Sequence, residues 1–353
     1  MKPSFTVGLT NDFLTADGQL IYRDIGLGLL SAEKIGHHFF DTHHPCVMPD
    51  QLANLDAVIS LTPKYDASSF RNVDRLLAVV RFGVGYDMVD VAACTEAGVL
   101  LCITKGAVDY SMAEATLGYM LALSHRMGVK DRLVRDGRWQ ERGFHMGTEL
   151  RERTLGIIGL GGIGKKLVEL ITSFGMAPVL AFDPFLTSEE ASRLGVQKVD
   201  LETLLRKSDF VSVNCPLTNS TRNLIGAKEL GWMKPDAFLI NASRGGIVTE
   251  SALVLALQNK QIAGAGIDVF DDEPAKSTNP FCQLDNVILS PHCIGWTDEL
   301  FRDIGQLAAT QVIALSFGEI PSGIVNPEVI DHLSFQKKLA RFHSPQLTNP
   351  SIL

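Results

Sequence analysis

Short apolar runs rich in β-branched residues, each closed by turn-forming residues, recur through the first hundred positions: Phe5–Leu9, Ala57–Leu61, Leu77–Arg81 and Val99–Cys102. Strands covered on both faces are apolar at successive positions, so these runs predict the parallel strands of a small α/β unit. From Asp109 to about Gly128 the period changes. Met112, Ala115, Leu117, Met120, Leu121 and Leu123 fit a helix apolar around most of its circumference, which predicts a long buried helix at a domain junction. The polar, glycine-punctuated stretch from Arg135 to Gly143 predicts an exposed connection. A second series follows, with strands predicted at Leu155–Ile158, Val179–Phe182, Phe210–Val213, Phe238–Ile240, Ala265–Ile267 and Val287–Leu289, most separated by helix-like stretches. That alternation predicts an α/β fold with a doubly wound parallel sheet. The stretch after Asn326-Pro327 is polar and irregular, and predicts a tail disordered in part or lying on another subunit.

Composition narrows the class. A chain of 353 residues exceeds the size at which one core usually stops growing, so two domains are expected. A formal net charge of −8 offers no basic field for a nucleic acid or an anionic membrane, and neither is an expected partner. The start, Met1 to Val7, lacks an apolar signal core, and no apolar run is long enough to span a bilayer, so the expected location is the cytoplasm. Six scattered cysteines form no C-x-x-C pair and read as reduced thiols. His37-His38 and His43-His44 are adjacent histidines in an expected polar loop, without the spacing of a ligand set, so no metal is expected.

The sharpest local signal is Gly159-Leu160-Gly161-Gly162-Ile163-Gly164, a G-x-G-x-x-G that follows an apolar strand and opens a helical stretch. The glycines permit a tight turn and bring the backbone close to a pyrophosphate at the positive end of the helix. The next strand ends at Asp183, about 20 residues beyond, where an acid accepts hydrogen bonds from the adenosine ribose and repels a 2′-phosphate. The pattern favours NAD over NADP.

Ligands of open α/β sheets sit beyond the carboxyl ends of the strands. After successive predicted strands come Asn214-Cys215-Pro216, Asn241-Ala242-Ser243-Arg244-Gly245-Gly246, Asp268 to Pro274, and Ser290-Pro291-His292. A cation, a carboxylate and a histidine on one edge suit reversible hydride transfer at a 2-oxo acid. Arg244 would clamp the substrate carboxylate and polarise the carbonyl. His292 would give or take the proton on the carbonyl oxygen, and Glu273 would orient the imidazole and stabilise its charged form.

These motifs resemble those of the D-isomer-specific 2-hydroxyacid dehydrogenases, the family of phosphoglycerate, glycerate and D-lactate dehydrogenases. The likeness runs from Arg81–Asp90 through Ser111–Glu114 and the glycine motif to Ile240–Gly246, Gly266–Phe270, Glu273-Pro274 and Ser290-Pro291-His292. The resemblance implies the same catalytic set of Arg244, Glu273 and His292. It implies cofactor contacts from Gly159, Gly161, Gly162, Ile163, Gly164, Asp183, Cys215, Pro216, Thr116, Ala242 and Asp268, with Asp268 near the nicotinamide carboxamide and Ile163 under the pyrophosphate. It further implies that the amides of Phe82, Gly83, Val84 and Gly85 hold the substrate carboxylate. The implied organisation is a flavodoxin-like substrate domain of residues 1–107 plus 298–353, with a Rossmann nucleotide domain, 108–297, inserted into it. A homodimer is implied, with the Arg135 to Gly143 connection in its contact.

The rival from another class is a corepressor-like binding protein of the same fold that senses NAD and acts through partner recognition. Relatives that oxidise phosphite or formate are disfavoured: the loop Phe82-Gly83-Val84-Gly85 lacks a lysine, and Glu273 stands where formate dehydrogenases use glutamine. With little chain after Asn326, feedback control through an added regulatory domain is not expected. Trp296 brings an indole where many relatives carry a small residue, and reads equally as a pocket or a packing residue. Lys64 reads as a solvated loop residue, or else as a contact for a second anionic group of the substrate.

Overall fold

The computed structural model describes residues 4–343; the extreme N terminus and the last part of the tail lie outside the described residues. The chain divides into two compact units, one made of residues up to Val108 together with those from Thr297 onward, the other of Asp109–Trp296.

The first unit carries five parallel strands, β1 (Thr6–Leu9), β2 (Gly36–Phe39), β3 (Ala57–Ser60), β4 (Ala78–Arg81) and β5 (Leu100–Ile103), in the order β2-β1-β3-β4-β5. This is the flavodoxin-like order. β3 and β4 are buried at every position, as their unbroken apolar runs require. β2 was not anticipated. It is an edge strand of sequence Gly-His-His-Phe, so His37 and His38 belong to the sheet and not to a polar loop. An edge strand is covered less fully, and here its exposure alternates, which removes the apolar run that betrays its neighbours.

The second unit holds seven parallel strands, β6 (Leu155–Ile158), β7 (Val179–Phe182), β8 (Val196–Lys198), β9 (Phe210–Val213), β10 (Phe238–Asn241), β11 (Gly264–Ile267) and β12 (Val287–Leu289). Their order, β12-β11-β10-β9-β6-β7-β8, is the doubly wound Rossmann arrangement with one strand added. Alternate residues feed different cores: Ile158, Val211, Val213 and Leu239 pack in one, Leu155, Ile157, Phe210 and Ile240 in the other. A central strand therefore needs apolar side chains at every position. The short polar edge strand β8 escaped the sequence reading for the same reason as β2.

Two helical expectations are corrected. The apolar helix spans Asp109–Ser124 and stops short of Gly128, because Arg126 adopts a left-handed φ of 53° and a separate helix, Met127–Arg135, begins. The segment after Asn326 is neither irregular nor detached as far as His343. It forms a 3-10 turn, Pro327–Asp331, and a helix, Leu333–Ala340, whose Phe335 and Leu339 are buried. Phe342 then meets Phe5 edge-to-face at 4.9 Å. Beside this helix Lys338 donates three hydrogen bonds, to the carbonyls of Leu76, Ala97 and Gly98 at 3.0–3.2 Å. Arg341 and Arg75 both reach the fully buried Asp56 carboxylate, at 3.1 and 2.7 Å. The tail segment is thus an integral layer of the first unit.

Among the described residues no helix is long and apolar enough to cross a membrane, and no group of three or more His, Cys, Asp or Glu side chains is arranged to hold a metal ion.

Candidate active site

At one end of the second sheet the chain turns sharply between β6 and the Gly162–Leu170 helix. Gly159 has φ +89°, and a Cβ there would lie 2.8 Å from the Cys215 amide nitrogen, so the turn excludes a side chain twice over. A Cβ on Gly164 would lie 2.9 Å from the Gly159 carbonyl oxygen, and one on Gly162 would run into the Asp109 carboxylate. Gly161, by contrast, faces open space and caps the helix without any side-chain acceptor. The first amides of that helix lack intrahelical acceptors, so the turn offers donors to an anion with nothing bulky in front of them. Ile163 sits half-buried in the first helical turn, and Cys215 and Pro216 follow β9. Burial pushes the Cys215 thiol up to about 11, so it remains protonated.

Asp183 follows β7 directly, beside this turn. One carboxylate oxygen accepts the Leu160 amide and the other the Phe185 amide, both at 2.8 Å. These bonds hold the acid against the glycine turn, and each oxygen keeps a lone pair for an additional donor. Glycine cradle, helix terminus without a side-chain cap and fixed acid together fit the diphosphate and adenosine ribose of a dinucleotide.

The parallel pairing of β10, β11 and β12 places their carboxyl ends side by side. Arg244 lies on the loop after β10, Glu273 on the loop after β11, and His292 just beyond β12. His292 Nδ1 and Glu273 Oε2 are 2.7 Å apart, with the two side chains 44% and 36% exposed. The other Glu273 oxygen accepts the Phe270 amide at 2.9 Å. Burial alone would raise the Glu273 carboxyl, but the bonds from His292 and Phe270 and the charge of Arg244 outweigh it, and the group is held below its ordinary value. The arginine therefore acts electrostatically on the same carboxylate that orients the histidine.

Asp268 secures the histidine from below. Its backbone carbonyl accepts the His292 amide at 2.8 Å, and one carboxylate oxygen accepts the amides of Cys293 and Ile294 at 2.9 and 3.1 Å. His292 has φ +55°, a left-handed conformation uncommon for a residue with a side chain. The three bonds hold it there. Burial raises the Asp268 carboxyl in spite of those amides. Asn241, buried at the end of β10, braces the arginine loop by donating to the Arg244 carbonyl at 3.0 Å and accepting from the Ser243 amide and hydroxyl. Ala242 follows it, half-buried.

Two expected contacts look different in three dimensions. Thr116 lies inside the Asp109–Ser124 helix, 1% exposed, and its hydroxyl donates to the Met112 carbonyl at 2.8 Å. It has no open face to offer. In the first unit, the loop after β4 has already committed half of its expected donors. The Phe82 amide donates to Ser60 and the Gly83 amide to Thr104 Oγ1 and the Arg81 carbonyl. The amides of Val84 and Gly85 have no acceptor among the described residues, so they are the pair able to bind an anion. The sequence reading also passed over Arg81, whose buried guanidinium bonds the carbonyls of Gly85, Ser60 and Leu61 and so shapes that loop. An arginine closing an apolar strand run was the available signal.

A glycine cradle with an acid at the next strand, followed by an Arg–Glu–His set on the same sheet edge, defines a dinucleotide-dependent oxidoreductase. The NAD-binding domain model of the D-isomer specific 2-hydroxyacid dehydrogenases matches residues 117–293. A glyoxylate reductase of Thermococcus litoralis is 38% identical over 291 residues, covering 80% of this chain and 87% of that protein. A D-3-phosphoglycerate dehydrogenase of Archaeoglobus fulgidus is 36% identical over 279 residues, covering 79% of this chain but only 53% of that protein. Among solved structures, the D-lactate dehydrogenase of Aquifex aeolicus, complexed with NAD and lactic acid, is 25% identical with a TM-score of 0.78, covering 90% of this chain and 98% of that one. The chain belongs to the D-isomer specific 2-hydroxyacid dehydrogenase family. It is an NAD-dependent oxidoreductase acting between 2-hydroxy acids and 2-oxo acids.

Proposed function

We propose that the protein interconverts a small D-2-hydroxy acid and its 2-oxo acid, with Arg244 binding the substrate carboxylate and carbonyl and with His292 and Glu273 as the acid/base pair. The observation that carries this reading is the 2.7 Å His292–Glu273 contact within the electrostatic reach of Arg244. Glu273 is ionised at neutral pH and binds His292 at Nδ1. This assigns the proton on Nδ1 to that bond and leaves Nε2 as the nitrogen that faces the reacting oxygen. Arg244 neutralises the acid's carboxylate and draws electron density toward the carbonyl oxygen, where His292 Nε2–H delivers its proton. In the reverse direction the neutral imidazole takes the proton from the C2 hydroxyl. Bound NADH supplies the hydride that C2 receives, and NAD⁺ accepts it in oxidation. Gly159 to Gly164 and Asp183 would hold the cofactor, with Asp268, Ala242, Cys215 and Pro216 beside it, and Val84 and Gly85 would donate to the substrate carboxylate.

The likeness to a glyoxylate reductase supports an acid with a short side chain. We read the protein as a cytoplasmic homodimer. The exposed Trp139, Phe144 and Met146, gathered on one connection of the NAD-binding unit, support a self-contact there.

The test is NADH oxidation against glyoxylate, hydroxypyruvate, pyruvate, phenylpyruvate, 2-oxoglutarate and phosphohydroxypyruvate, repeated with NADPH and with His292→Ala. Turnover of a short acid with NADH, lost in the variant, is expected. Tight NADH binding with no turnover of any acid would overturn the reading.

A further inference from the structure

The loops that carry Arg244 and Glu273 leave neighbouring strands and are irregular beyond them, so strand pairing alone does not set the distance between the two side chains. They are joined directly. A side chain at Gly245 would collide with the carbonyl group of Phe270 and lie 3.0 Å from the Asp271 amide, so the two backbones touch at that point. The Gly246 amide donates to Asp271 Oδ1 at 2.8 Å. The Asp271 amide in turn donates to Glu250 Oε2 at 3.0 Å, and Glu250 Oε1 accepts from Asn279 Nδ2 at 2.8 Å. Glu250 opens the Glu250–Gln258 helix, so its carboxylate ties that helix to the loop after β11, which Asp271 in turn joins to the Gly245–Gly246 turn.

We propose that Asp271 and Glu250 are positioning residues, which set the separation of Arg244 from the His292–Glu273 pair by locking the Gly245–Gly246 turn to the Phe270–Glu273 segment. The inference rests on the reading of the active site given above. Three of the four residues from Phe270 to Glu273 are engaged. The Phe270 amide fixes Glu273, its carbonyl abuts Gly245, and the Asp271 carboxylate holds Gly246. The lock keeps like charges together: burial, and then the Glu250 and Asp272 carboxylates, push the Asp271 carboxyl up, with only the Gly246 amide and Arg222 opposing. Surface carboxylates without a task separate and hydrate; these two are held in place by backbone donors.

The experiment compares Asp271→Ala, Asp271→Asn and wild type by three readouts: steady-state reduction of glyoxylate, NADH affinity by fluorescence titration, and amide hydrogen exchange of peptides covering residues 242–249. In Asp271→Ala, kcat/KM is expected to fall on the order of tenfold to a hundredfold. NADH affinity should hold within about twofold, because the glycine turn is on other strands, and exchange of the 242–249 segment should quicken. Asp271→Asn keeps an acceptor for the Gly246 amide and should restore kcat/KM to within about threefold of wild type. Unchanged exchange and kinetics in Asp271→Ala would overturn the proposal, as would a loss of NADH binding in step with activity that asparagine fails to rescue. Wild-type inactivity on every 2-oxo acid would instead overturn the active-site reading beneath it, and the exchange readout separates the two failures because it needs no turnover.

Discussion

Replacing Gly245 by alanine adds one methyl group at the point where the arginine loop touches the glutamate loop. Gly245 is outside the left-handed region, so its backbone accepts alanine and the effect is purely steric. The added Cβ would overlap the Phe270 carbonyl, a backbone group with no rotamer to retreat into. To restore even the tightest contacts that real Cβ atoms make, the two loops must part by roughly 1 Å, a displacement that costs catalysis about a hundredfold, or about 2.7 kcal/mol of transition-state stabilisation. Overpacking of this kind also costs the fold about 1–3 kcal/mol, which lowers Tm by about 2–4 °C for each kcal/mol in a domain of this size. The assay is kcat and KM for the 2-oxo acid at saturating NADH, alongside a melting curve with and without NADH. The expected pattern is a loss of about two orders of magnitude in kcat/KM, a fall of a few degrees in Tm, and a retained thermal shift on NADH. Activity within about threefold of wild type in a folded Gly245→Ala protein would refute the argument that this contact sets the Arg244–Glu273 distance.

In Glu273→Gln the bond to His292 survives without the charge, so kcat for reduction should fall about tenfold to a hundredfold while KM moves less, as steady-state kinetics can determine. Because Glu273 is held below its ordinary value of 4.5, what the ionised carboxylate contributes is present above that pH and is lost only as pH falls through the lower folded value. Wild-type activity should accordingly persist down to the pH at which ordinary carboxylates begin to protonate. Asp183→Ser removes the charge that repels a 2′-phosphate, and the ratio of kcat/KM for NADH over NADPH should fall at least about tenfold; an unchanged ratio would exclude Asp183 as the discriminating acid. Burial pushes the Lys338 ammonium down from 10.5 to about 8, so the unfolded chain binds more protons between those values and stability should rise with pH across that window, by up to about 3 kcal/mol from this residue. Urea denaturation of wild type and Lys338→Met from pH 7 to 10 isolates the slope as a difference between the two proteins, and parallel curves would remove Lys338 as its source.

What could be read without coordinates, and what could not, follows from how each feature is encoded. The central strands of both sheets are buried on two faces, so their requirement is written at every position as an apolar run. The edge strands β2 and β8 answer only in part to a core, and His37, His38, Gln197 and Lys198 hide them. The Leu333–Ala340 helix was encoded, since Phe335, Leu339 and Phe342 recur at helical spacing, but the polar residues around them masked the signal. Arg244, Glu273 and His292 were legible because each falls just past a legible strand and the Rossmann order brings those strand ends together. The lock between their loops has no such signature. Asp271 stands in a run of three acids, and nothing in its type or spacing says that its carboxylate meets a glycine amide. The same holds for the Phe82 to Gly85 loop, where only the fold decides that Ser60 and Thr104 consume two of four amides. Chemistry-bearing side chains announce themselves by type and spacing, whereas the supports that place them to within an ångström are backbone bonds made by residues whose types are ordinary. Substitutions at such supports, rather than at the three reacting side chains, are where this structure adds most to what the sequence already implied.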